Sequence, residues 1–390
     1  MIPTLLPTYA RNELAFERGE GAYLFATNGK KYLDFASGVA VTALGHAHPH
    51  LVKALNEQSR KLWHCSNLFQ IPEQERLGKR LIDNTFADTV FFGNSGAEAV
   101  ECAIKMARKF QHDSGNPGRY RIIGCAGSFH GRTLATLAAA GNEKYLKGFE
   151  PTVAGFDHVP FGNLNELRAK ITEETAAILV EPVQGEGGVT AASDDYLRGL
   201  RATADEFGLL LIFDEIQCGM GRTGKLFAHE WAGIAPDIMP IAKALGGGYP
   251  VGACLATERA AKYMTVGTHG STFGGNPLGM AVGNAVLDIM LAPGFFARVQ
   301  KMSGLLRERA NALTVKYPKV FTELRGKGFL SGLRCAVPNG EMCDKLRAAG
   351  LLTVVAGENV IRLLPPLIIE ESHIDEAMGV LDGVARQWKH

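Results

Sequence analysis

The stretch Leu209–Glu215, Leu-Leu-Leu-Ile-Phe-Asp-Glu, constrains the fold more than any other part of the chain. Four aliphatic residues and a phenylalanine run directly into two carboxylates. A run so apolar and so short suits a strand buried on both faces, as in a parallel sheet. The acids then emerge at the strand's C-terminal end, where open α/β sheets place their ligands. The segment 236–243 repeats this plan: a short apolar stretch, then Lys243, then Gly246-Gly247-Gly248. An acid and an amine at neighbouring strand ends, with glycines around the amine, form the pairing that a pyridoxal phosphate (PLP) site needs.

A chain of 390 residues is too long for one small core and fits one large domain with a smaller one. Strands alternating with helices predict an α/β fold: a large, mostly parallel sheet flanked by helices. Pro293-Gly294 marks the change to a smaller α+β C-terminal domain. The expected division is 1–45 as an N-terminal segment packing with the small domain, 46–292 as the large domain and 293–390 as the small one. A net charge of +1 without blocks of like charge argues against nucleic acid or an anionic membrane surface as partner. No run of about 18 apolar residues exists, so no membrane span is expected. The N-terminal apolar stretch is too short for a signal peptide. Seven scattered cysteines without a Cys-x-x-Cys fit a reducing cytoplasm rather than a disulfide framework or structural zinc.

Taken in order, Gly21–Asp34 alternates around Asn28-Gly29, a hairpin signal. Ser37–His46 is small and apolar and reads as a loop leading to Pro49. His46, His48 and His50 have no carboxylate or cysteine to complete a metal set, and no metal is expected. Residues 49–63 and 72–84 read as amphipathic helices, with Leu51, Leu55 and Leu62 on one face. A strand ending at Phe92 runs into Ser95-Gly-Ala-Glu98, a capping box opening a helix to about Phe110. Free N–H groups at such a junction make a cradle for phosphate. Arg121–Cys125 is a strand followed by the polar loop Gly127–Thr133. Its Phe129 could stack on a ligand, Arg132 could grip a carboxylate, and His130 reads equally well as a loop residue or a site residue. Thr175–Glu181 is another buried strand ending in an acid. Beyond 293 the pattern is helix, strand Phe329–Cys335, helix, two short strands and a last helix. The strand at Val360–Pro366 carries Arg362 among apolar neighbours, and a buried arginine needs an acidic partner or a ligand.

Two glycine patterns mislead. Gly219–Gly224 fits G-x-G-x-x-G, and Gly219–Lys225 fits most of a P-loop. Leu226 stands where magnesium would need Ser or Thr, and Asp214-Glu215 would put two negative charges beside a pyrophosphate.

Together these segments resemble the class III, fold type I, PLP-dependent aminotransferases over essentially the whole chain. Ser95-Gly-Ala-Glu, Phe129-His-Gly-Arg, Glu181-Pro-Val-Gln-Gly-Glu-Gly, Asp214-Glu-Ile-Gln, Ala242-Lys-Ala-Leu-Gly-Gly-Gly and Ser271-Thr-Phe-Gly-Gly-Asn-Pro stand in the family's order. The resemblance implies that Lys243 binds the cofactor covalently and later moves a proton, and that Asp214 pairs with its ring nitrogen. It implies Gln217 near the phenolic oxygen, with Glu215 and Ile216 beside it, and Phe129 on the ring face. Gly96 and Ala97 would hold the phosphate, with Thr272 reaching it from the other subunit of a homodimer. Arg132 and Ser271 would meet the donor, and Arg362 the α-carboxylate of glutamate, shielded by Glu186 when the donor is bound.

Within the family, Ser37–Pro49 resembles the members that act on N-acetylornithine with 2-oxoglutarate as acceptor, in arginine biosynthesis. Val39 stands where ornithine-specific members carry tyrosine. A small side chain leaves room for an acyl group and removes a polar partner for a free α-amine. Ornithine, succinylornithine and succinyldiaminopimelate remain as other donors. An aminomutase reading lacks a use for Arg362, and a catalytically dead homologue would have no need to keep Lys243 and Asp214.

Overall fold

The computed structural model describes residues 2–388. Met1, Lys389 and His390, at the outer ends of the two expected terminal segments, lie outside the described residues. The centre is a seven-stranded sheet. Its order is Thr89–Gly93, Gly252–Ala256, Ile238–Ile241, Leu210–Phe213, Thr175–Val180, Arg121–Cys125 and Phe156–Val159. Gly252–Ala256 runs antiparallel to both of its neighbours, and the remaining pairings are parallel. As expected, a large, mostly parallel sheet is accompanied by a smaller antiparallel one.

The central strands have no solvent face. Every residue of Thr175–Val180, Leu210–Phe213 and Ile238–Ile241 is buried, because helices cover both sides. Helix Gly96–Asp113 packs with Val100, Ala103, Ile104 and Ala107 on one face of the sheet. Helix Asp194–Phe207 covers the other with Leu197, Leu200 and Ala204. Helix Pro277–Met290 is buried nearly all round.

The C-terminal sheet pairs Phe321–Lys327, Leu330–Cys335, Val360–Leu363 and Val354–Ala356 in antiparallel order. The first of these strands was not expected, since its Thr-Glu-Leu-Arg-Gly-Lys run is polar and the strand lies at an exposed edge. The hairpin Tyr23–Ala26 and Lys31–Asp34 joins a third sheet. There Leu351–Leu352 from the C-terminal part pairs parallel with Lys31–Asp34. The two ends of the chain are thus one structural layer. Helix Pro277–Met290 meets helix Phe295–Lys316 at a 74° bend across Pro293-Gly294. No single helix among the described residues is long and apolar enough to cross a membrane.

One helix is shorter than its pattern. Pro49–Ser59 stops four residues before 63, and Leu62 is exposed. Side chains end it: Gln58 Nε2 donates to the Leu62 carbonyl and Trp63 Nε1 to that of Ser59.

Candidate functional site

Six of the seven strands run in one direction and end at the same edge of the large sheet, and five of them carry the site. Glu181, Asp214 and Lys243 follow three adjacent ones. Phe129 and His130 come from the loop after Arg121–Cys125, and Ser95 and Gly96 from the end of Thr89–Gly93. All of them line one cavity of about 540 Å³, together with Ala97, Arg132, Glu186, Ile216, Gln217 and Arg362.

The cradle is built by close approach. Ser95 Oγ accepts from the Glu98 N–H (3.3 Å), and Glu98 Oε2 accepts from the Asn94 N–H (2.9 Å). The first N–H groups of helix Gly96–Asp113 therefore start beside the cavity without side chains over them. A Cβ on Gly96 would stand 2.9 Å from Ile216 Cδ1, and one on Gly252 2.3 Å from the Ser95 carbonyl.

Asp214 is held twice. His130 Nδ1 donates to Oδ2 at 2.7 Å, with both side chains buried, and the Ile216 N–H donates to Oδ1 at 3.0 Å. Burial works against the His130 imidazolium, but the bond to Asp214 and its charge outweigh this and raise its pKa. Glu181 Oε1 accepts from the Phe129 N–H at 2.8 Å. Burial, then the Asp214 charge, push its pKa up to about 7, against the pull of His130. Burial brings the Lys243 amine down to about 8, although Glu181 and Asp214 oppose it. Lys243 also sits in the left-handed region (φ 47°), a strained backbone that the surrounding turn enforces.

Across the cavity, Arg362 Nη2 lies 3.0 Å from Glu186 Oε2 and also donates to the Val355 carbonyl at 2.8 Å. Its Nε and Nη1 are buried without partners. The Glu186 carbonyl accepts from the Gly357 N–H at 2.8 Å, which ties the backbone of that loop to the C-terminal sheet.

The wall opposite comes from the N-terminal segment. Val39 and Val41 line the cavity. Ser37, Gly38, Val39 and Ala40 all have positive φ, 47° to 65°, so the expected loop is one left-handed turn. This costs roughly 1–2 kcal/mol for each non-glycine residue. Asp34 holds it: Oδ1 accepts from the Ala36 and Ser37 N–H groups, both at 2.9 Å, and Oδ2 from His46 Nε2 at 2.8 Å. His46 and His50 are engaged separately, the latter with Asp288 at 2.8 Å.

Three expected site residues lie elsewhere. Glu215 does not face the cavity, which corrects the expectation that it meets the cofactor. It turns into the core, where Oε2 and Oε1 accept from the Ala228 and His229 N–H groups at 2.7 and 2.8 Å. Burial raises its pKa to about 8. Asp214 faces the cavity and the next residue faces the core, so adjacency in sequence does not carry the role over. Ser271 and Thr272 are also outside the cavity of their own chain. Ser271 Oγ accepts from Gly274 N–H and Asn94 Nδ2, and Thr272 is exposed beside Phe273. Conversely, Glu181, Val41 and Tyr249 line the cavity without having been singled out for it. His130, undecided from sequence, belongs to the site. Its partner Asp214 is 84 residues away, and nothing local signals that pairing.

The model of the family described as "Aminotransferase class-III" matches residues 7–384. The chain belongs to the class-III aminotransferases. It is 59% identical to the acetylornithine aminotransferase of Brucella melitensis over 374 residues, 96% of this chain and 93% of that one. Among solved structures, N-acetylornithine aminotransferase from Stenotrophomonas maltophilia superposes with a TM-score of 0.84 at 36% identity, covering 97% of this chain and 98% of that one. Ornithine aminotransferase from Toxoplasma gondii, with PLP at partial occupancy in its active site, gives a TM-score of 0.93 at 30% identity, covering 98% and 92%. The cavity of this class-III aminotransferase brings together a buried acid–imidazole pair, a lysine amine, a buried guanidinium and an exposed one.

Replacing His130 by leucine removes the partner of a buried carboxylate. The variant is expected to lose about 3–5 kcal/mol of unfolding free energy in a denaturant titration. A loss under about 1 kcal/mol would mean that Asp214 does not depend on the pair.

Proposed function

We propose that this aminotransferase moves the δ-amino group of N2-acetyl-L-ornithine to 2-oxoglutarate. The products are N-acetyl-L-glutamate 5-semialdehyde and L-glutamate, and the cofactor is PLP. The observation that carries the reading is the Arg362–Glu186 pair at 3.0 Å, facing the same cavity as Lys243 and as an Arg132 that no carboxylate among the described residues holds. Such a site can present one guanidinium while covering the other.

The residues present fit the cofactor. Gln217 Oε1 and His130 Nε2 are buried without partners, and the helix start at Gly96–Ala97 offers N–H groups to a phosphate. PLP supplies an aldehyde for amine capture and a ring that accepts electrons. Lys243 Nζ would hold the aldehyde, then take a proton from the donor δ-carbon and return one to the α-carbon of glutamate. Asp214 would keep the ring nitrogen protonated, with His130 fixing its carboxylate. Gln217 would donate toward the phenolic oxygen, Ile216 would pack beside it, and Phe129 would cover the ring face.

Arg132 would take the α-carboxylate of the donor, and Val39 would leave space for its acetyl group. Glu186 neutralises Arg362 in that half-reaction and swings aside when the α-carboxylate of glutamate or 2-oxoglutarate arrives. The anchored Glu186 backbone limits this motion to the side chain. Close relatives named acetylornithine aminotransferase support this donor over ornithine.

We further infer a homodimer with shared sites. Thr272 and Ser271 are remote from their own cavity. They sit in a patch of exposed apolar side chains that includes Trp63, Leu68, Phe69 and Phe273, with Asn67 Nδ2 donating to the Ser271 and Gly274 carbonyls. A patch of this kind marks a contact surface, and from it Thr272 would reach the phosphate of the second copy. We keep the division into residues 1–45, 46–292 and 293–390, which the pairing of Leu351–Leu352 with Lys31–Asp34 supports. A cytoplasmic location agrees with seven free cysteines.

Three outcomes follow. In a panel of acetylornithine, ornithine, succinylornithine, succinyldiaminopimelate and 4-aminobutyrate at fixed 2-oxoglutarate, acetylornithine should have the highest kcat/KM, and a first place for ornithine would reject the assignment. Glu186→Gln should change the two half-reactions unequally in single-turnover measurements, whereas equal losses would remove its gating role. The cofactor-free protein should capture PLP faster as pH rises, with a midpoint near the Lys243 value of about 8, because only the neutral amine attacks. A rate independent of pH between about 7 and 9 would contradict this.

A further inference from the structure

The two arginines of the cavity are held in different ways. Arg362 is buried and paired with a carboxylate. Arg132 is exposed, and among the described residues no ion pair includes it. Its guanidinium carbon lies 3.9 Å from the centre of the Tyr145 ring and 5.5 Å from that of Phe129. Tyr145 is half-buried and is not part of the cavity lining.

The intervening chain is built to bring these two residues together. Thr133, directly after Arg132, caps helix Leu134–Ala140 through a reciprocal capping box with Thr136. The helix is about 10 Å long at its usual rise. Gly141 ends it at φ 65°, and a Cβ there would lie 2.4 Å from His158 Nε2. His158 Nε2 in turn donates to the Ala138 and Ala139 carbonyls at 3.0 and 3.1 Å. Only glycine fits the reversal. Asn142 then caps Glu143–Leu146, which returns Tyr145 to Arg132.

We propose that Tyr145 is a positioning residue for the amino donor: its ring holds the Arg132 guanidinium in place without neutralising it. A carboxylate in this place would also fix the arginine, but it would occupy the N–H edge and compete with the incoming carboxylate. A ring beneath the guanidinium engages its face and leaves the in-plane N–H donors open for a bidentate contact. The acceptor-side arginine has a displaceable acid, and the donor-side arginine has an aromatic rest. This inference depends on Arg132 being the donor's carboxylate site, as proposed above.

The test uses the holoenzyme and N-acetyl-L-norvaline, which keeps the acetyl group and α-carboxylate of the donor but has no δ-amine to react. Calorimetry gives its Kd, and steady-state rates give kcat and KM for acetylornithine. Tyr145→Leu is expected to raise both Kd and KM about fivefold, with kcat nearly unchanged, the size of a partly exposed cation–π contact. Tyr145→Phe, which keeps the ring, should behave as the parent protein. Adding Tyr145→Leu to Arg132→Met should produce no further loss. A fall in kcat with Kd unchanged, an equal loss in the phenylalanine variant, or additive effects in the double variant would each overturn the proposal. If Arg132→Met itself leaves the Kd unchanged, the carboxylate assignment fails and the role of Tyr145 falls with it. If Arg132→Met weakens binding and Tyr145→Leu does not, only the role of Tyr145 is lost.

Discussion

A lysine amine and two carboxylates held together out of water are the constraint from which the rest of this structure follows. Glu181, Asp214 and Lys243 leave the ends of three neighbouring parallel strands whose own residues are all buried. Removing these groups from solvent weakens each charged form, and their mutual attraction restores part of the loss. Lys243 at about 8 and Glu181 at about 7 lie close together for that reason. An amine that sheds its proton near neutral pH is both nucleophile and base. His130 Nδ1 donates to Asp214 in the same space, and Glu181, pushed up to about 7 by burial and the Asp214 charge, is the acid that takes a proton near neutral pH.

The cavity is closed by parts of the chain that are far apart in sequence. Val39 and Val41 come from the first 45 residues, and Arg362 from near the end. The pairing of Leu351–Leu352 with Lys31–Asp34, and the Leu364 N–H bond to the Phe35 carbonyl at 2.7 Å, join these contributors into one wall. The buried Arg222 adds a strut from the large domain, donating from Nη1 to the Pro365 carbonyl three residues beyond Arg362. The G-x-G-x-x-G run around it is thus a packing element under the C-terminal sheet, and its Arg222 and Thr223 carry backbone contacts to Gly328 and Phe329. Some of the backbone strain lies beside the chemistry, in the left-handed turn Ser37–Ala40 and at Lys243. The Asp34 carboxylate holds that turn, and with it Val39, at the cavity wall.

Local physical rules made much of this legible. Buried strands ending in acids, the Ser95 cap of helix Gly96–Asp113 and the polar loop around Phe129 are features of a few consecutive residues. Each reports a local preference that tertiary packing did not override. The edge strand Phe321–Lys327 was illegible because its exposed faces carry polar side chains and give no apolar alternation. Leu62 was misjudged because helical periodicity says nothing about the side-chain bonds of Gln58 and Trp63 that end the helix at Ser59.

The amino-acid sequence by itself determined which residues stand at strand ends and helix starts, because burial, capping and turn preferences act over a handful of neighbours. It thereby determined the family and about half of the residues in the cavity. Only the tertiary structure decided which side chains face one another: His130 with Asp214, Glu186 with Arg362, Tyr145 with Arg132, and Glu215 away from the site. Those pairings depend on strand order and on the direction in which each side chain leaves its backbone. Both are set when the layers pack and distant segments are brought within a few ångströms, which no local pattern records.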